Sequence, residues 1–133
     1  ELHSFTLLVG VYLRDVLEPW SGNLTLWPGA HHLVVDHLRE HGPDALVPGL
    51  GSFVDQLDMP EPAQMTGNAG DVFLAHYLVP HGVAPHTSPD IRYAVFFRVT
   101  HVEHKQNKPR QCVEPWLDYP GMSEVLAEMD VAI

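Results

Sequence analysis

Two residues of this chain carry types and a spacing that suggest chemistry: His81, and Arg92 eleven positions later. A neutral imidazole ligates transition metals. A guanidinium holds a carboxylate through two parallel hydrogen bonds. A small dicarboxylate could therefore touch both, one end on a metal at His81 and the other on Arg92. The elements that must position them are read from the same stretch. Gly70-Asp71 is a turn signal that opens an apolar run, Val72 to Val79. Ile91 to Val99 is a second run, rich in β-branched and aromatic residues. Pro80 to Asp90 between them carries three prolines, a glycine, a serine and a threonine, which excludes helix and central strand. If the two runs pair as an antiparallel hairpin, His81 and Arg92 lie opposite or diagonal, roughly 5–8 Å apart at Cβ.

Two motifs in order extend this reading. Gly70-Asp71, His81-Gly82, Ser88 and Arg92 follow one another at fixed spacing, and upstream stands Gly22-Asn-Leu-Thr-Leu-Trp-Pro-Gly-Ala-His31. The pattern resembles the phytanoyl-CoA dioxygenase-like family of Fe(II)/2-oxoglutarate oxygenases over roughly residues 5–100. His86 stands where that family usually has Asn, and Ala30 where it has Ser. The resemblance implies a mainly β fold: a double-stranded β-helix, or jelly-roll barrel, with a few flanking helices and the site in its mouth. It implies Fe(II) held by two His and one carboxylate, and 2-oxoglutarate as co-substrate. It makes His81 the distal metal ligand, Arg92 the holder of the far carboxylate, and Ser88 a brace or co-substrate contact in the loop. The family's His-x-Asp is absent from this sequence and is expected before Glu1, so 1–133 is read as a single domain lacking its N-terminal part. The implied reaction consumes dioxygen, releases succinate and hydroxylates a small organic molecule. The competing reading is a non-catalytic β-barrel module that keeps Arg92 and has lost the metal.

Size and composition suit one packed domain. The 133 residues are 45% hydrophobic, with 12 prolines and 10 glycines that favour a turn-rich β fold over a bundle. A net charge of −10 disfavours nucleic acid and anionic membranes as partners. One cysteine, Cys112, excludes an internal disulfide framework and fits a reducing, cytoplasmic setting. No apolar run reaches membrane-spanning length.

The rest of the chain reads as supporting elements. Phe5 to Leu13 is a buried strand, with Gly10 against a helix. Leu24 to Trp27 is a short strand stopped by Pro28-Gly29. Ala30 to His41 carries helical periodicity and ends at Gly42-Pro43. It contains His37-Leu-Arg-Glu-His41, the inverted zinc-protease pattern H-x-x-E-H with Glu40 as base. With ten histidines in the chain and no partner helix bearing a third ligand, this is read as a solvated face, and a zinc hydrolase as the weakest alternative. Asp44 to Asn68 is an irregular connection, with a helical turn expected at 52–57 and a short strand at Gln64–Thr66. His76 is assigned to packing or the support of a ligand. Thr100 to His104 is read as strand end, Lys105 to Arg110 as a basic loop, and Met122 to Met129 as a closing amphipathic helix.

Overall fold

The computed structural model describes residues 4–46 and 57–129. Its organising strand is β1, Leu7–Tyr12. Leu8, Gly10 and Tyr12 are buried and the residues between them half-buried, the alternation of a strand with one face turned inward. β1 is flanked on both sides, by β4 (Val72–His76) and β6 (Ala94–Val99), giving an antiparallel sheet of order β4-β1-β6. Gly10 pairs with Phe73 on one side and Phe96 on the other. It is glycine because Phe73 lies across it: a Cβ there would sit 1.9 Å from Phe73 Cζ. Phe73 in turn packs on Tyr12 and Phe96, with ring centroids 5.5 and 5.7 Å away.

The hairpin expected between the 72–79 and 91–99 runs does not form. β1 takes the place between them, because the most continuously apolar run gains most from being paired on both edges. The proline-studded link instead visits a second sheet. There β2 (Leu24–Leu26) is central between β3 (Ala63–Gln64) and β5 (His81–Val83), again antiparallel. Pro80 and Pro85 flank β5, which fits its edge position.

Tyr12 ties the sheets together. Its hydroxyl donates to Met65 O and accepts from Leu24 N at 3.4 Å. Asn23, fully buried, locks the second sheet: its Nδ2 donates to Gln64 Oε1 at 2.8 Å and its Oδ1 accepts from Ser21 N. The described chain is thus strand-rich, with two small antiparallel sheets and few helices.

α1 (His31–His41) buries Val34, Val35 and Leu38 against Leu78 and Cys112, and stops at Gly42, whose φ is 87°. Two sequence expectations change here. β6 ends at Val99, before the Thr100–His104 segment read as strand end, where Val102 and Glu103 instead form a turn closed by His104 N donating to His101 O at 3.0 Å. The expected basic loop is helix α2, His104–Gln111, despite Pro109 within it.

What holds α2 is Asp118, a buried carboxylate. It accepts from Thr6 Oγ1 (2.6 Å), His104 Nδ1 (2.6 Å), Asn107 Nδ2 (2.7 Å) and Gln111 Nε2 (2.7 Å). His104 Nε2 lies 3.1 Å from Ser4 Oγ. That contact order mimics a Ser-His-Asp relay, but the carboxylate divides itself among four donors from two segments, Thr6 beside β1 and three residues of α2. It acts as a brace between β1 and α2.

α3 spans Met122–Glu128 as expected, though Val125 and Met129 are exposed rather than core. The expected helical turn at 52–57 falls on residues 52–56, outside the described residues. Among the described residues no helix is long and apolar enough to cross a membrane.

Candidate functional site

Arg92 is placed by an extension of the β1–β6 ladder, in which Leu13 N donates to Tyr93 O at 2.9 Å. Ala94 pairs with Tyr12, and Arg92, two residues earlier, takes the same face of the strand. Its guanidinium lies over the Phe96 ring at 5.8 Å. Nη1 is buried and has no hydrogen-bond partner among the described residues. Burial pushes the Tyr12 hydroxyl above its ordinary range, while the Leu24 N–H and the Arg92 charge pull it back. A buried cationic donor without an acceptor is costly, and a carboxylate satisfies it.

Two clefts share the 88–92 segment as a wall. One, about 600 Å³, is lined by Arg14, Leu17, Pro19, Ser88 and Arg92 among others. The other, about 480 Å³, has Gly22, Val83, His86, Ser88 and Arg92 in its lining. The loop between β5 and β6 is pinned along its length. Thr87 donates through N (2.7 Å) and Oγ1 (3.0 Å) to Trp20 O, and Gly22 N donates to Pro85 O. Arg14 bonds Asp90 at 2.6 Å and Ile91 O at 3.4 Å. Trp20 adopts φ 61°, a conformation unusual for so bulky a residue. Ser88 Oγ accepts from Asp90 N at 3.1 Å, closing the turn just before Arg92. His86 rests on Gly22, where a Cβ would come 2.8 Å from His86 Cδ2 and where φ is 67°.

His81 opens β5, paired with Leu26, and its side chain is exposed. Its Nδ1 lies 2.9 Å from Val79 O. A carbonyl only accepts, so Nδ1 carries the hydrogen and Nε2 keeps the lone pair that ligates metals. Val83 shares a strand face with His81 and lines the smaller cleft with Arg92, whereas His81 lines neither. The two residues therefore sit on edge strands of different sheets, not across one hairpin. Among the described residues no group of three or more His, Cys, Asp or Glu is placed to hold a metal.

His76 belongs to packing. Its ring lies against Trp116 and Tyr119 at 5.0 and 5.3 Å, Nε2 donates to Pro115 O at 2.7 Å, and Nδ1 accepts from Leu78 N at 3.2 Å. Both nitrogens are satisfied only in the neutral ring. Burial lowers its pKa to about 4, the Pro115 bond opposing and nearby His31 assisting. The unfolded chain therefore takes up a proton near pH 6.5 that the folded chain refuses until about 4. Stability is expected to be full above pH 6.5 and to fall as pH drops to about 4, by about 2–3 kcal/mol, then to level for this group. Urea unfolding of wild type and His76→Gln across that range checks this: the variant is expected to lose that slope.

Asp118 and His104, the most heavily bonded polar pair in the molecule's interior, carry no sequence signal. Asp118 lies in a Pro-Trp-Leu-Asp-Tyr-Pro-Gly stretch that reads as loop punctuation.

No family profile matches the chain, and no curated protein does. Among solved structures it is similar to HygX from Streptomyces hygroscopicus, crystallised with nickel and 2-oxoglutarate bound. The identity is 19% over 83% of this chain and 47% of HygX, with a TM-score of 0.46. This chain thus spans about half the length of HygX, and the superposition is too loose to carry an argument.

Proposed function

We propose that the chain is a 2-oxoglutarate-binding jelly-roll domain of an Fe(II)-dependent dioxygenase that hydroxylates a small organic molecule. One observation carries the reading: Arg92 Nη1 is a buried cationic donor without a partner, on the wall shared by two clefts. A carboxylate of 2-oxoglutarate satisfies it with the geometry a guanidinium fork prefers. Phe96 and Tyr12 restrict where the fork can point, and the pinned Thr87–Asp90 loop holds Ser88 beside it. His81 would offer Nε2 to iron. Bound iron supplies the oxidative decarboxylation of 2-oxoglutarate by dioxygen.

The reading includes a single domain and small-molecule partners, in a cytoplasmic, reducing setting consistent with Cys112 as a buried free thiol. A second reading, a non-catalytic module binding a dicarboxylate at Arg92, is favoured by His81 lining neither of the clefts that Arg92 lines. The two are separated by incubating the protein with 2-oxoglutarate under air, with and without Fe(II), and measuring succinate. Iron-dependent succinate release is the expected result. Binding of 2-oxoglutarate without succinate release selects the module, and absence of binding refutes both.

A further inference from the structure

We propose that His86 binds the co-substrate: its imidazole N–H joins Arg92 and Ser88 in holding the far carboxylate of 2-oxoglutarate in the smaller cleft. The inference rests on Arg92 as the holder of that carboxylate and adds a ligand contact beside it. It follows from which groups in the cleft can still donate. Apart from His86, Ser88 and Arg92, the side chains lining it are apolar or, in Asp90, acidic. Three of its backbone donors are spent: Gly22 N on Pro85 O, Ala84 N on Asn23 O and Asp90 N on Ser88 Oγ. Asp90 is itself tied to Arg14 at 2.6 Å, which offsets its repulsion of an anion.

A carboxylate accepts about four hydrogen bonds through its two oxygens, and a guanidinium fork fills two of them. Ser88 Oγ accepts from Asp90 N, which leaves its O–H to donate. The His86 ring makes no hydrogen bond among the described residues. A neutral imidazole carries one N–H, so it donates to the carboxylate without a change of charge.

The ring is in place before a ligand arrives. His86 pairs with Ser21 in an antiparallel bridge, closed by Gly22 N on Pro85 O and Thr87 N on Trp20 O. Glycine at position 22 makes room for the ring, since a Cβ there would come 2.8 Å from His86 Cδ2. Little ordering is therefore left for the ligand to impose. The larger cleft gives Arg92 no such help: Asp15 and Glu18 line it and no histidine does. With a net charge of −10 over the whole chain, a dianion depends on donors gathered at one place, and the smaller cleft gathers three.

The test is calorimetric titration with 2-oxoglutarate of wild type, Arg92→Met, His86→Phe, His86→Asn and His86→Gln, with circular dichroism confirming the fold of each. His86→Phe keeps a flat ring over Gly22 and removes the N–H, and its affinity is expected to fall about tenfold. The amides of asparagine and glutamine return an N–H near the positions of Nδ1 and Nε2, and one of them is expected to bring affinity back to within about threefold of wild type. Should His86→Phe disturb the fold, His86→Ala takes its place with the same expectation. Binding that Arg92→Met abolishes but His86→Phe leaves within about threefold overturns the role of His86 alone. A loss that neither amide recovers also overturns it, because the ring then acts by shape. Absence of binding in wild type, or binding indifferent to Arg92→Met, overturns the Arg92 reading and this inference with it.

Discussion

Replacing Asp118 with alanine is expected to destabilise the fold by about 3–5 kcal/mol, the cost of removing one partner from a buried, hydrogen-bonded charge network. The loss does not come from apolar contact. Four donors, on Thr6, His104, Asn107 and Gln111, converge on one carboxylate. Alanine leaves each of them without its acceptor, in an environment where water does not reach the carboxylate they surrounded. Asp118→Asn is expected to cost less, because its amide oxygen still accepts while its NH₂ faces donors. Thermal unfolding of the three proteins measures this. An Asp118→Ala midpoint within about 2 °C of wild type would show that the network contributes little. The same residue sets an acid limit. Burial pushes its carboxyl up, but the bonds from Thr6, Asn107 and His104, with the His104 charge, hold it below the usual carboxylate range. Its contribution is present above the ordinary carboxylate range and is lost as pH falls through the depressed folded value. Asp118→Asn is therefore expected to unfold at a pH less sensitive to acid than wild type does.

Arg92→Met is expected to do the opposite: leave stability unchanged or raise it, and weaken 2-oxoglutarate binding by about 100-fold or more. Nη1 is buried and unpartnered in a guanidinium that lies over Phe96, so the folded chain bears a desolvated donor that methionine removes while keeping the stem's packing. On the proposed reading the same donor meets a carboxylate in the bound state, and truncating one member of such a pair typically costs about 2–5 kcal/mol, in line with that factor. Arg92→Lys is expected to recover only part of the loss, since an ammonium makes no parallel pair of bonds. Calorimetry with 2-oxoglutarate and thermal unfolding of each variant check both halves. A clear drop in the melting temperature of Arg92→Met would make the residue a structural prop. Unchanged affinity would remove it from the site.

These two residues also show where sequence reading works. Arg92 was singled out by its local setting, a cation at the start of a β-branched run eleven residues after a histidine, and its role as a site residue rests on the proposal. α1 was legible through its apolar spacing and its Gly42-Pro43 stop. Asp118 was not, because it is one of 17 acids and its partner Thr6 lies 112 residues away. For the same reason α2 read as a loop. It has no apolar face and carries Pro109, so no helical periodicity shows, and what ties it down is polar: the Asp118 carboxylate bonded by Asn107 and Gln111.

From the sequence alone came the strand runs, the turn-rich links and α1, since each rests on periodicity or on turn residues in the local chain. The order of strands was decided only in three dimensions. Both β4 and β6 could have paired with each other, and alternation is silent on that choice. It was settled by competition for the two edges of β1, in which Gly10 leaves room for Phe73 and Tyr12 reaches across to the second sheet. That choice put His81 and Arg92 on different sheets, and the same packing selected which nitrogen of His76 carries its proton.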